Sequence, residues 1–150
     1  METKQDIPLL DAKAIRRLWS QTYNTQGKPD WSHLYPLYDQ EIRFQDSIQS
    51  LEGKQAFMAM CERLAKRCKQ MDMELYTIVR ENDHAFLQWK MTTRFRHFPS
   101  SPIYGCSCLT FNEKELIVEQ RDYYDLWGDI ADHVPVYHRL YRWFMRTFFG

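Results

Sequence analysis

The sequence predicts an α+β domain in which helices pack against one side of a curved antiparallel sheet to make a cone, with an extra helix at the C-terminus. Three observations carry this reading. Apolar residues recur at helical spacing as far as Cys68, and from Met71 the period drops to two, as a strand requires. Turn-forming groups at residues 81–83 and 112–115 then cut the second half into consecutive strands. The whole is 150 residues, 44% hydrophobic, enough for one domain with a full core and an enclosed pocket.

The elements follow in order. Asp11 is placed to cap a helix whose Ile15, Leu18, Trp19, Thr22 and Tyr23 share one face, opposite Lys13, Arg16, Arg17 and Ser20. Gly27-Lys28-Pro29 ends it, and Asp30 caps a shorter helix carrying Leu34, Leu37 and Tyr38. A short strand over residues 42–46 precedes a third helix that starts near Gly53 and carries Phe57, Met60, Cys61, Leu64 and Cys68. Met71, Met73, Leu75, Thr77 and Val79 alternate along the first meander strand, and residues 85–96 form the second. Pro99-Ser100-Ser101-Pro102 breaks that run, after which residues 103–111 and 116–125 complete the meander. The core is expected over residues 11–128 of a single domain, and residues 130–149 read as a helix dense in aromatics and arginine.

Composition excludes several functions. Gly27, Gly53, Gly105, Gly128 and Gly150 are the only glycines, so neither a Walker A loop nor a dinucleotide fingerprint is present. Twenty basic residues balance twenty acidic ones, which argues against nucleic acid as a partner. Residues 1–11 lack the basic start and apolar run of a signal peptide, and no stretch approaches the ~18 apolar residues of a spanning helix, so a cytoplasmic location is expected. Cys61, Cys68, Cys106 and Cys108 form no CxxC pair, and His33, His84, His97, His133 and His138 show no ligand spacing. No metal or other cofactor is expected, and no nucleophile elbow is present.

Two motifs give the chain a family likeness. They are Tyr38-Asp39-Gln40-Glu41-Ile42-Arg43-Phe44-Gln45-Asp46, followed by Leu51-Glu52-Gly53-Lys54, and Gln120-Arg121-Asp122-Tyr123-Tyr124-Asp125. With the meander between them, they resemble the nuclear transport factor 2-like superfamily, in its SnoaL-like and ketosteroid isomerase-like branch. That resemblance implies the cone fold and an interior site. It puts Asp46 where the isomerases keep a general-base Asp, and Trp19 and Ser107 where they keep oxyanion donors. The related limonene epoxide hydrolase pattern matches its last-strand Asp to Asp122, its central Arg to Lys90 and the partner carboxylate to Thr92.

With Lys90 taken to face the cone, strand parity sends Gln88, Thr92 and Arg94 inward and Trp89, Met91, Thr93 and Phe95 outward. On the last strand the same rule turns Gln120, Asp122 and Tyr124 inward, and Phe44, Met71, Ile103 and Ser107 complete the lining. The apolar outer face would be buried by a second copy, making a homodimer.

Two classes of function follow. In one, Asp46 and Asp122 are acid–base residues and Lys90 orients the substrate, an apolar small molecule bound among Trp19, Phe44, Met71, Gln88, Thr92, Ile103, Ser107 and Tyr124. The reaction is then an isomerisation, cyclisation, dehydration or hydrolysis needing no cofactor. In the other, the module binds a ligand or dimerises without chemistry, Asp122 pairs with Lys90, and Asp46 caps the third helix or its preceding turn. The C-terminal helix either meets a membrane surface through Arg139, Arg142 and Arg146 and its aromatics, or packs across the cone mouth or dimer seam.

Overall fold

A computed structural model describes residues 9–23, 27–95, 100–131 and 134–150. Helix α1 (Ala12–Tyr23) begins as expected, with Asp11 Oδ1 accepting the Ala14 N–H at 2.7 Å. Strands β1 (Tyr38–Gln45) and β2 (Ser50–Glu52) form a hairpin, α2 (Lys54–Arg67) follows, and β3 (Cys68–Glu81), β4 (His84–Phe95), β5 (Ser101–Phe111) and β6 (Ile117–Tyr124) make the meander. Two helices, α3 (Leu126–Ala131) and α4 (Pro135–Phe148), close the chain.

The strands form one sheet in the order β2-β1-β6-β5-β4-β3. Its meander is antiparallel, whereas β1 joins β6 in parallel. That parallel pairing matters for the site, because it lays the end of β1 beside Arg121 and delivers Asp46 next to the inward residues of β6. Helix α1 packs over β3, and α2 over β1, β2 and β3, so the concave face is covered. Arg16 ties α1 to the sheet by donating to the carbonyls of Leu75 and Tyr76, where β3 bulges between Leu75 and Ile78. The core joins Ile15, Trp19, Leu34, Ile42, Phe57, Met71, Leu87, Leu109 and Ile117.

Three expectations change. The short helix after Asp30 is only a 3₁₀ turn (Tyr35–Leu37); Pro36 supplies no N–H to a longer helix, and Tyr38 begins β1 with its ring buried. Ser101 and Pro102 of the expected break already belong to β5, while residues 96–99, including His97 and Pro99, lie outside the described residues. The single C-terminal helix is two, with Pro135 in the first turn of α4, and residues 132–133 lie outside the described residues.

The parity of β4 is also corrected. Ala85, Leu87, Trp89 and Thr93 are buried, and Gln88 and Arg94 are exposed. On β4 the buried alternate set is the more apolar one, the set containing Trp89; on β3 the bulge after Leu75 reverses the expected alternation, so that Thr77 and Val79 are exposed. Lys90 therefore sits on the convex face, donating to Glu74 Oε1 at 2.8 Å.

One ion pair locks the far end of the meander. Arg80, its side chain 7% exposed, donates to both carboxylate oxygens of Glu115 at 3.1 and 3.2 Å and to the Asn82 carbonyl at 2.8 Å. Its guanidinium lies 3.7 Å over the Phe111 ring. The β3–β4 turn is thereby fixed to the β5–β6 turn. Removing one partner of such a pair strands a charge in the interior, so Glu115→Gln is expected to lower unfolding free energy by about 3 kcal/mol in urea denaturation. A loss under about 0.5 kcal/mol would show that the pair behaves as a surface bridge.

Candidate acid–base site

Asp122 is the centre of the concave face. It stands opposite Ser107 in the β5–β6 register, and period two turns both side chains into the cone. Trp89 Nε1 donates to Ser107 Oγ at 2.9 Å, and Ser107 is hydrogen-bonded to the Asp122 carboxyl. From the other side the Gln120 amide donates to both Asp122 oxygens at 3.1 and 3.3 Å. Tyr38 OH donates to Gln120 Oε1 at 2.6 Å, which fixes the amide with its NH₂ toward Asp122. The chain Trp89–Ser107–Asp122–Gln120–Tyr38 thus crosses β4, β5, β6 and β1, four neighbours in the sheet.

Gly105 makes room for it. Gly105 is the β5 residue opposite Trp89, and a Cβ there would overlap the indole ring and come within 2.7 Å of the Tyr123 carbonyl. The indole also meets the Tyr124 ring at a centroid distance of 6.1 Å.

Burial pushes the Asp122 carboxyl up to about 6, against the lowering effect of its Ser107 and Gln120 hydrogen bonds and with a further rise from the negative charge of Asp46. Asp122 nevertheless keeps part of its surface open. Its surroundings are a wall of groups held neutral. Burial first, and the Asp122 charge among the further causes, raises the Tyr23, Tyr38 and Tyr124 hydroxyls and pushes the Cys61 thiol up to about 12.

Asp46 lies close enough for its charge to reach Asp122, but its own bonding differs. Oδ1 accepts the backbone N–H groups of Ile48 and Gln49 at 2.8 and 2.9 Å, and Oδ2 accepts Tyr124 OH at 3.1 Å. The side chain closes the turn between β1 and β2 and aligns the Tyr124 ring. Ser47 Oγ donates to the Tyr124 carbonyl at 3.0 Å, pinning this loop to the end of β6.

Among the expected lining, Trp19, Phe44, Met71, Ile103 and Ser107 are buried and Tyr124 is half-buried. Gln88, Thr92 and Lys90 are on the opposite face, so Lys90 does not join Asp46 and Asp122. Three contributors were missed, Tyr38, Cys61 and Trp89, while Gln120 faces inward as expected. The inward parity of Gln120 was readable from its spacing to Asp122, and Trp89 shares the apolar alternation of Ala85 and Leu87. Among the described residues no group of three His, Cys, Asp or Glu is arranged to hold a metal ion, and no helix is long and apolar enough to cross a membrane.

Comparison with known proteins agrees with this architecture. A protein of ketosteroid isomerase-like fold from Catenulispora acidiphila DSM 44928, solved with trimethylamine, matches with a TM-score of 0.63 and 15% identity over 79% of this chain and 89% of its own. An LEH-like epoxide hydrolase of M. tuberculosis matches with a TM-score of 0.65 and 11% identity over 81% and 86%. A candidate SnoaL-like polyketide cyclase of Jannaschia sp. CCS1 matches with a TM-score of 0.64 and 17% identity over 87% and 97%. At these identities the likeness is one of fold. No curated protein matches the sequence at a significant level. The family model of the SnoaL-like domain matches residues 13–120, and the chain belongs to the SnoaL-like domain family.

Proposed function

We propose that the cone interior is an acid–base site for an apolar small molecule carrying a carbonyl or hydroxyl group, and that Asp122 moves the proton. The observation that carries this is a carboxyl ringed by aromatic rings and neutral hydroxyls, pushed up to about 6 by burial, on a residue that keeps part of its surface open. Ser107 and Gln120 hold the carboxyl, and the Trp89 and Tyr38 donors behind them restrict its rotation. Asp46 is a positioning residue that acts through Tyr124. Trp19, Phe44, Met71 and Ile103 give the ligand apolar contact. The relatives include proteins described as an epoxide hydrolase and a candidate cyclase, which supports an isomerase, cyclase, dehydratase or hydrolase type of reaction.

A non-catalytic binding module is the second reading. It is favoured by Asp46, whose carboxyl already accepts three hydrogen bonds and leaves Asp122 as the carboxyl free to react. Deuterium exchange separates the two. With a panel of apolar cyclic ketones in D₂O, proton transfer by Asp122 gives label next to the carbonyl, at a rate rising with pH through about 6. Asp122→Asn is expected to lower that rate at least about 100-fold while ligand binding persists. Ketones that bind equally to both proteins with no exchange above the solvent rate would leave only the binding module.

Stability offers an independent check. Because the folded pKa is above that of the unfolded chain, the native state binds the extra proton, and stability falls as pH rises from about 4 to about 6. At about 1.4 kcal/mol per pH unit the ceiling is about 3 kcal/mol, and partial solvent access reduces the expected cost to about 1 kcal/mol. Asp122→Asn lacks this cost, so its stability relative to the parent should improve across that interval in urea denaturation. A constant difference between the two proteins from pH 4 to 7 would contradict the raised pKa.

We also propose that two copies pair through the convex sheet face. Its apolar residues are Val79, Phe86, Tyr104 and Tyr123, all at least 44% exposed; Tyr123 faces outward as strand parity gives, and the others stand in place of Trp89, Met91 and Phe95. Val79, Phe86 and Tyr123 border a shallow groove of about 500 Å³. Sedimentation should give twice the chain mass, and Phe86→Arg the single-chain mass with an unchanged melting temperature. A monomeric parent at micromolar concentration would remove the dimer.

A further inference from the structure

Helix α4 has no buried residue, and only His138 and Tyr141 on it are even half-buried. Projected at 100° per residue, its side chains divide cleanly. His138, Arg139, Arg142 and Arg146 occupy one arc, and no acidic residue lies on the helix. The rest of the circumference is apolar or aromatic except for Thr147, whose hydroxyl donates to the Trp143 carbonyl at 2.8 Å. Val136 is 81% exposed, Leu140 61%, Trp143 60%, Phe144 45% and Phe148 62%. The aromatics pack on one another rather than on the sheet: Phe144 meets Phe148 at 4.9 Å, Tyr137 stacks on Tyr141 at 6.0 Å, and Trp127 of α3 reaches Tyr137 at 6.3 Å. A helix of this kind costs free energy in water and needs a covering.

We propose that α4 lies flat on an anionic lipid surface, its arginines at the headgroups and its aromatic face at the acyl boundary. Charge decides between this and a second copy of the chain. A protein cover would need carboxylates opposite Arg139 and Arg146; α4 carries none, so two copies of the helix would set arginine against arginine, and on the convex sheet face Glu74 and Glu119 are each already paired, with Lys90 and Arg43. A phosphate surface supplies many anions at no defined register, and Trp143 stands where the basic arc meets the apolar face, the position an interfacial indole takes.

The test is flotation of the full chain with vesicles of phosphatidylcholine alone or with 30% phosphatidylglycerol, at low and high salt. Binding is expected on the anionic vesicles and weak on neutral ones, falling as salt rises. The triple substitution Arg139→Gln, Arg142→Gln and Arg146→Gln should weaken it about 100-fold, and Leu140→Glu with Phe144→Glu should abolish it. Since no α4 side chain is buried, both variants should keep the parent melting temperature, which separates loss of contact from loss of fold. The proposal is overturned if the parent stays with the protein fraction on anionic vesicles, or if the arginine variant floats as well as the parent. It is overturned equally if the α4 substitutions halve the sedimenting mass without any vesicle binding by the parent, since the helix then covers a second copy.

Discussion

The hydrogen-bond chain from Trp89 through Ser107, Asp122 and Gln120 to Tyr38 is the constraint around which the concave face is organised. Asp122 sits in surroundings that oppose its charge, and such a group is tolerated only where fixed donors compensate it. Those donors come from both sides, on strands far apart in sequence, so the site exists only in the sheet order that sets β4, β5, β6 and β1 side by side. The same requirement explains Gly105: an indole lying across the neighbouring strand leaves no space for a side chain beneath it.

The two carboxyls of the site do different work because their donors differ. Asp46 is held by two backbone N–H groups of its own turn and by the Tyr124 hydroxyl, an arrangement that builds a loop. Asp122 is held by two neutral side chains, each itself held by another, an arrangement that fixes the carboxyl without bringing a cation to it. Burial raises its pKa while the Ser107 and Gln120 bonds restrain that rise, and the balance falls near pH 6, close to where an acid–base group can both give and accept a proton. At the other end of the meander, Arg80 and Glu115 hold the turns together, far along the strands from this chemistry.

Much of the fold was legible in the sequence because it rests on period and turn chemistry. The turns at residues 81–83 and 112–115 and the Asp11 cap correspond to observed features, whereas the switch expected at Met71 comes at Cys68, which begins β3 rather than ending the helix before it. The inward set of β6 was legible too, since Gln120, Asp122 and Tyr124 follow from one alternation. The face of β4 was misread because the position of Lys90 in a motif outweighed the apolar alternation of Ala85, Leu87 and Trp89, whose burial free energy sets the face. Tyr38 was read as helical because Leu34 and Leu37 are spaced for a helix, although Pro36 removes the donor a helix would need. The partners of Asp122 could not be read from local pattern, since Tyr38 and Gln120 are 82 residues apart. For α4, composition suggested aromatics all around the helix, whereas the projection confines the cations to one arc.

The central claim is that Asp122 carries a proton into the neutral range. Its carboxyl carbon, assigned by comparison with Asp122→Asn in aspartate-labelled protein, can be followed by ¹³C NMR from pH 3 to 8. The account predicts a single inflection near pH 6 that is absent from the variant. An Asp122 inflection below pH 4 would mean that the carboxyl is fully ionised at neutral pH, and would contradict it.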